Sequence, residues 1–115
     1  MLDIQFDEVQ GFKVCRPVGE LDAFTVSQFR QALAELASTP CLIIDMSSVP
    51  FVDSAGLGAL IGGIRRAREL GGDVSVCCNR PTLVRLLRTT GFDRIVTVAE
   101  TIDDAVAALK PNAEA

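Results

Sequence analysis

Asp53 and Ser54 stand together at the head of a glycine-rich stretch, Asp53-Ser54-Ala55-Gly56-Leu57-Gly58-Ala59-Leu60-Ile61-Gly62-Gly63. A serine hydroxyl at such a place has three uses. It can accept a phosphoryl group, attack a substrate as a nucleophile, or cap the helix that begins there. The nucleophile needs a base, and the chain contains no histidine. Its two lysines, Lys13 and Lys110, are remote in sequence, and Val52-Asp53-Ser54-Ala55-Gly56 lacks the first glycine of a nucleophile elbow. The expectation is that the chain is not an enzyme. Phosphoryl acceptance and capping both stay open, because first-turn amides are unpaired and the dipole there is positive.

Gly56, Gly58 and Gly62 imitate a dinucleotide fingerprint. In that motif the first glycine follows its strand almost at once. Here a loop of seven residues, Ser47 to Asp53, intervenes, and the strand after the helix ends near Asn79 rather than at an acid. No cofactor is expected. The four cysteines, Cys15, Cys41, Cys77 and Cys78, fall inside apolar runs without Cys-x-x-Cys spacing, so they read as buried free thiols and not as metal ligands.

The glycines call for another explanation. Each costs a helix about 1 kcal/mol against alanine. Such residues persist where a backbone or a partner must come close. At 100° per residue, Leu57, Leu60, Ile61 and Ile64 form a buried stripe. Ser54, Gly58, Gly62, Arg65 and Glu69 run along its flank, a low surface suited to docking. Tight packing of Gly58 and Gly62 on a sheet is the other explanation, and the spacing does not separate the two.

The elements that position this stretch follow from periodicity. Leu2, Ile4 and Phe6 alternate with polar residues as a half-buried strand, Gly11 punctuates, and Phe12 to Val18 makes a second strand with Pro17 at an edge or bulge. Thr25 and Gln28 have capping-box spacing before a helix carried by Val26, Phe29, Leu33 and Leu36, which stops near Ser38-Thr39-Pro40. Cys41 to Met46 is a central strand. After the Ser54 helix, Gly71-Gly72 ends it and Asp73 to Cys78 forms the next strand. Pro81 opens a third helix that Gly91 closes. Ile95 to Val98 is a short strand. Thr101 and Asp104 begin a last helix packed through Ile102, Ala105, Val106 and Leu109, and residues 111–115 are a polar tail. The order ββαβαβαβα implies one α/β domain over residues 1–110. Its central sheet is mostly parallel, with an N-terminal antiparallel hairpin and about four helices.

Composition excludes other classes. No apolar run approaches the roughly 20 residues of a membrane span, and the acidic N-terminus does not resemble a secretory signal. A cytoplasmic protein without a membrane partner is expected. The net charge of −4 conceals a basic segment, with seven arginines between Arg65 and Arg94. Those arginines space as solvated helix faces. With no Tyr or Trp to stack on bases, direct nucleic-acid binding is not expected.

At these residues the chain resembles the STAS domain family, and within it the bacterial anti-sigma factor antagonists. The resemblance lies in Gly19-Glu20-Leu21-Asp22, in Leu42-Ile43-Ile44-Asp45-Met46 and, most specifically, in Phe51-Val52-Asp53-Ser54-Ala55-Gly56-Leu57-Gly58. Gly72 to Cys77 and Leu86 to Phe92 also match in place and character. The resemblance implies an anti-anti-sigma factor that binds an anti-sigma factor serine kinase and so releases the sigma factor. It implies phosphorylation of Ser54 by that kinase, which ends binding, and a separate metal-dependent serine phosphatase that restores it. Asp22 would belong to the partner surface, with Asp53, Ser54, Ala55, Gly56, Gly58 and Gly62, and Asp53 would be the acid beside the acceptor. Ala55 stands where many relatives carry serine or threonine. The alternative is a STAS scaffold subunit of a larger signalling or transporter assembly, in which Ser54 only caps its helix.

Overall fold

The computed structural model describes residues 2–36, 39 and 41–114, with side chains through residue 110. Five strands form one sheet in sequence order: β1 (Asp3–Val9), β2 (Phe12–Val18), β3 (Cys41–Asp45), β4 (Asp73–Cys77) and β5 (Thr97–Ala99). β1 and β2 are antiparallel; the remaining neighbours are parallel. The hairpin turns at Gln10 and Gly11, both with positive φ (51° and 85°). That is the two-residue primed turn whose twist matches the strands it joins. Gly11 was legible as punctuation; the left-handed Gln10 was not.

Pro17 lies in an inner strand, not at an edge. β2 pairs with β3 only over Lys13–Cys15, while opposite β1 the register sets Pro17 against Ile4. Counting from the turn, that is a non-hydrogen-bonded pair, so its nitrogen faces β3 beyond the end of the ladder, where no donor is required.

α1 (Val26–Glu35), α2 (Ser54–Glu69) and α3 (Pro81–Thr89) each connect adjacent parallel strands. Right-handed crossovers place all three on one face. α4 (Ile102–Glu114) follows the last strand and covers the other. The core divides accordingly. Cys15, Ile44 and Val76 of the sheet pack with Phe29, Leu60, Ile64 and Leu87 of the first three helices; Val14, Ile43 and Cys77 pack with Val106 and Leu109 of α4. Cys77 and Cys78 point into opposite clusters, as adjacent strand positions must. All four thiols are free, and burial pushes that of Cys15 up to about 12.

Several boundaries differ from the sequence expectation. Phe6 is half-exposed on the edge strand β1; of the alternating residues, Leu2 and Ile4 reach the core beneath the first three helices. Thr25 does not cap α1; its hydroxyl is bound to the preceding loop. α1 ends at Glu35, and Ser38 and Pro40 of the expected stop lie outside the described residues. Gly91 adopts φ 78° and leads into a 3-10 turn over Phe92–Arg94. That turn shifts β5 two residues later, leaving Ile95 exposed while Phe92 and Val96 fill the core. The backbone of α4 runs on through residues 111–114, which the sequence reading set apart as a tail.

Candidate functional site

Two loops at the carboxyl ends of β2 and β3 are strapped together beside the start of α2. Gly19 N–H donates to the Ser48 carbonyl (3.1 Å), Leu21 N–H to the Phe51 carbonyl (2.9 Å), and Asp53 N–H to the Leu21 carbonyl (3.2 Å). Leu21 and Val52 form a short parallel bridge, and both side chains are buried. Because backbone polar groups in a loop need partners, this strap orders a segment that has no helix or strand of its own.

Asp53 joins the strap to the helix. It sits in extended conformation as the N-cap of α2. Its Oδ1 accepts from Gly56 N–H at 2.9 Å, and its Oδ2 accepts from Ala23 N–H at 3.0 Å. This corrects the reading of Ser54 as a cap: Ser54 is the first helical residue, exposed at its position. Among the described residues no partner bonds to its hydroxyl. An acceptor serine needs that freedom, and a capping serine lacks it.

Asp22 also has a local task. Its Oδ1 accepts from the N–H groups of Phe24 (2.9 Å) and Thr25 (3.1 Å), a turn closed by its own side chain. The Thr25 hydroxyl donates to the Glu20 carbonyl (2.8 Å) and accepts from Asp22 N–H (3.0 Å). The turn throws Phe24 outward, 93% exposed, while Phe51 on the strapped neighbour is 51% exposed. Neither phenylalanine was singled out in the sequence. The available signal was their position in loops, outside any strand or helix period.

The glycines of α2 divide into two kinds. A Cβ on Gly56 would meet the Leu21 carbonyl oxygen at 2.4 Å, and one on Gly63 would meet Leu33 Cδ1 at 2.9 Å. Gly56 is buried and serves the packing of α2 against the strap. Gly58 and Gly62 are exposed, with nothing within 4 Å of an added Cβ. The buried stripe is also shifted: Ala59, Leu60, Ile64 and Ala67 are buried, whereas Leu57, Ile61 and Ala55 are only partly covered.

Behind the loops, Asp45 anchors the end of β3. Its carboxylate accepts from Arg16 Nε (2.9 Å) and from Ser47 N–H (3.0 Å). Burial pushes the Asp45 carboxyl up. The hydrogen bonds from Ser47 and Arg16, with the Arg16 charge, outweigh that and hold it below the usual carboxylate range. Arg80 Nε donates to the Ser47 carbonyl (2.7 Å), tying the same loop to the start of α3.

Among the described residues no group of histidines, cysteines and acids is placed to hold a metal ion, and no helix is long and apolar enough to cross a membrane. The head of α2 thus gathers an exposed serine, a carboxylate held at its side, two projecting phenylalanines and a bare helix face.

Comparison with known proteins agrees with this architecture. The chain is 28% identical over 112 residues to an anti-sigma F factor antagonist of Paenibacillus polymyxa, covering 95% of this chain and 96% of the relative. It is 29% identical over 82 residues to an anti-sigma-B factor antagonist of Bacillus subtilis (strain 168), covering 70% of this chain and 75% of that one. The crystal structure of an anti-sigma factor antagonist from Mycobacterium paratuberculosis superposes with a TM-score of 0.84 at 28% identity, covering 96% of this chain and 95% of that structure. The family model described as STAS domain matches residues 3–105, and the chain belongs to the STAS domain family.

Proposed function

We propose that this chain is an anti-sigma factor antagonist that binds an anti-sigma factor serine kinase and is switched off by phosphorylation of Ser54. One observation carries the reading: the Ser54 hydroxyl is exposed and unbonded at the head of α2, because Asp53 performs the capping. The names of the relatives, antagonists of anti-sigma factors, support an anti-sigma factor as the partner, and the exposed acceptor serine is the reason for reading that partner as a kinase. In the switching step the γ-phosphoryl group of ATP moves to Ser54 Oγ. The hydroxyl proton passes to the kinase and ADP leaves. A separate serine phosphatase returns the phosphate to water and restores binding.

The physical effect of the phosphate is local. It adds close to two negative charges one residue from the Asp53 carboxylate. In a closed interface those charges lose water beside a like charge, which costs several kcal/mol. Each 1.4 kcal/mol is tenfold in affinity, so a loss on the order of 100-fold needs no refolding. Phe24 and Phe51 supply the aromatic anchors on which interface energy concentrates.

The test is to incubate the chain with its cognate kinase and ATP, then map phosphate by intact mass and peptide sequencing. Modification of Ser54 with loss of kinase binding is the expected result. An unmodified Ser54, or a phosphoprotein that binds as tightly as before, overturns the reading.

A further inference from the structure

A groove of about 260 Å³ runs between α1 and α2, beginning one helical turn from Ser54. Leu33 and Leu42 form apolar wall, and the open backbone of Gly58 and Gly62 keeps it clear. Arg30 and Arg66 line it as well. Both arginines are exposed, and neither forms an ion pair among the described residues. Among the described residues no acid lines the groove, although the chain as a whole carries a net charge of −4.

Among the described residues the charged groups bordering this trough are guanidiniums, with the Thr39 hydroxyl as a neutral polar group; such a trough selects for a ligand with an apolar body and an anionic head. Its size limits the body. A groove of about 260 Å³ has room for one short apolar chain. We infer that the α1–α2 groove is a binding site for a short single-chain anionic amphiphile, with its carboxylate or phosphate head held by Arg30 and Arg66. The inference stands apart from the phosphorylation reading, since it needs neither a kinase nor Ser54. Occupancy would place ligand on the Gly58–Gly62 face and so compete with a partner docked there.

The experiment is titration of the purified full chain by calorimetry and by amide chemical shifts with four probes: octanoate, octyl phosphate, octanol and octyltrimethylammonium. Octanoate and octyl phosphate are expected to saturate and to shift the amides around Gly58, Gly62 and Leu33; whichever binds tighter identifies the head group. Arg66→Gln is expected to weaken both anions about tenfold, the scale of one charge-assisted hydrogen bond, and to leave octanol unchanged. Gly62→Leu fills open space with a better helix former. It is expected to keep its thermal transition and abolish binding. The inference is overturned if neither anion saturates below about 1 mM, if the cationic probe binds as well as the anions, or if Gly62→Leu still binds. It is equally overturned if the groove variants weaken only the kinase, since the groove then belongs to the protein interface.

Discussion

The Asp53 carboxylate reaches across thirty positions of sequence to accept from Ala23 N–H at 3.0 Å, while its other oxygen caps α2 through Gly56. One side chain thus ties the turn that carries Asp22 and Phe24 to the helix that carries Ser54. Asp53→Asn keeps an acceptor for one of these bonds and replaces the other oxygen with a donor. A stability loss of about 0.5–2 kcal/mol is expected, the range for a lost cap or a single hydrogen bond. Faster amide exchange at Ala23 and Phe24 than in the rest of the domain checks it. Unchanged exchange there shows that the strap alone holds the turn.

The two kinds of glycine in α2 are expected to respond in opposite directions. Gly56→Ala brings a Cβ to 2.4 Å from the Leu21 carbonyl oxygen, so the strap or the helix must shift. Despite alanine's better propensity, the expected net loss is about 1–3 kcal/mol, as for overpacking elsewhere. Gly58→Ala and Gly62→Ala meet open space and should each stabilise by up to about 1 kcal/mol. Urea denaturation of the three variants reads the signs directly.

Ser54→Ala tests capping against acceptance. With Asp53 as the cap, the substitution should change stability by less than about 0.5 kcal/mol, and it should abolish phosphorylation while preserving kinase binding. A loss nearer 1 kcal/mol, with partner affinity and phosphate incorporation indifferent to the change, favours the scaffold role instead.

Phe24→Ser and Phe51→Ser remove exposed apolar rings that contribute little to the core. Their thermal midpoints should stay near the wild-type value. Affinity for the kinase should fall at least tenfold for one of them, about 1.4 kcal/mol. Surface plasmon resonance with unphosphorylated protein separates this from any effect on Ser54 itself.

Acid should act through Asp45. Its folded-state carboxyl is held below the usual range by Ser47 and Arg16 in spite of burial. A depressed value means the folded state binds fewer protons than the unfolded chain. The contribution is complete above the unfolded value of about 3.9 and is lost as pH falls through the folded value. Arg16→Met should flatten the stability profile in that acid window and lower stability at neutral pH. Chemical denaturation between pH 2 and 6 measures it.

The element order, the parallel sheet and the hairpin were written in periodicity and punctuation, because burial on one face of a helix or strand is a local pattern. Gly11, Pro81 and Gly91 could be read one residue at a time for the same reason. The Asp53-Ser54 motif puts the candidate site at the head of α2. The sequence alone could not say which of the two residues caps, since both types cap well and the choice depends on where the chain turns. It could not separate Gly56 from Gly58, because the carbonyl that excludes a side chain at Gly56 belongs to Leu21, on another loop. Nor could it expose Phe24 or bring Arg30 and Arg66 to one groove. These depend on how segments distant in sequence pack, settled only when the crossovers lay α1 beside α2 and strap the β2 loop to the β3 loop. The free hydroxyl of Ser54 is therefore a tertiary result: Asp53 and the strap satisfy the backbone around it.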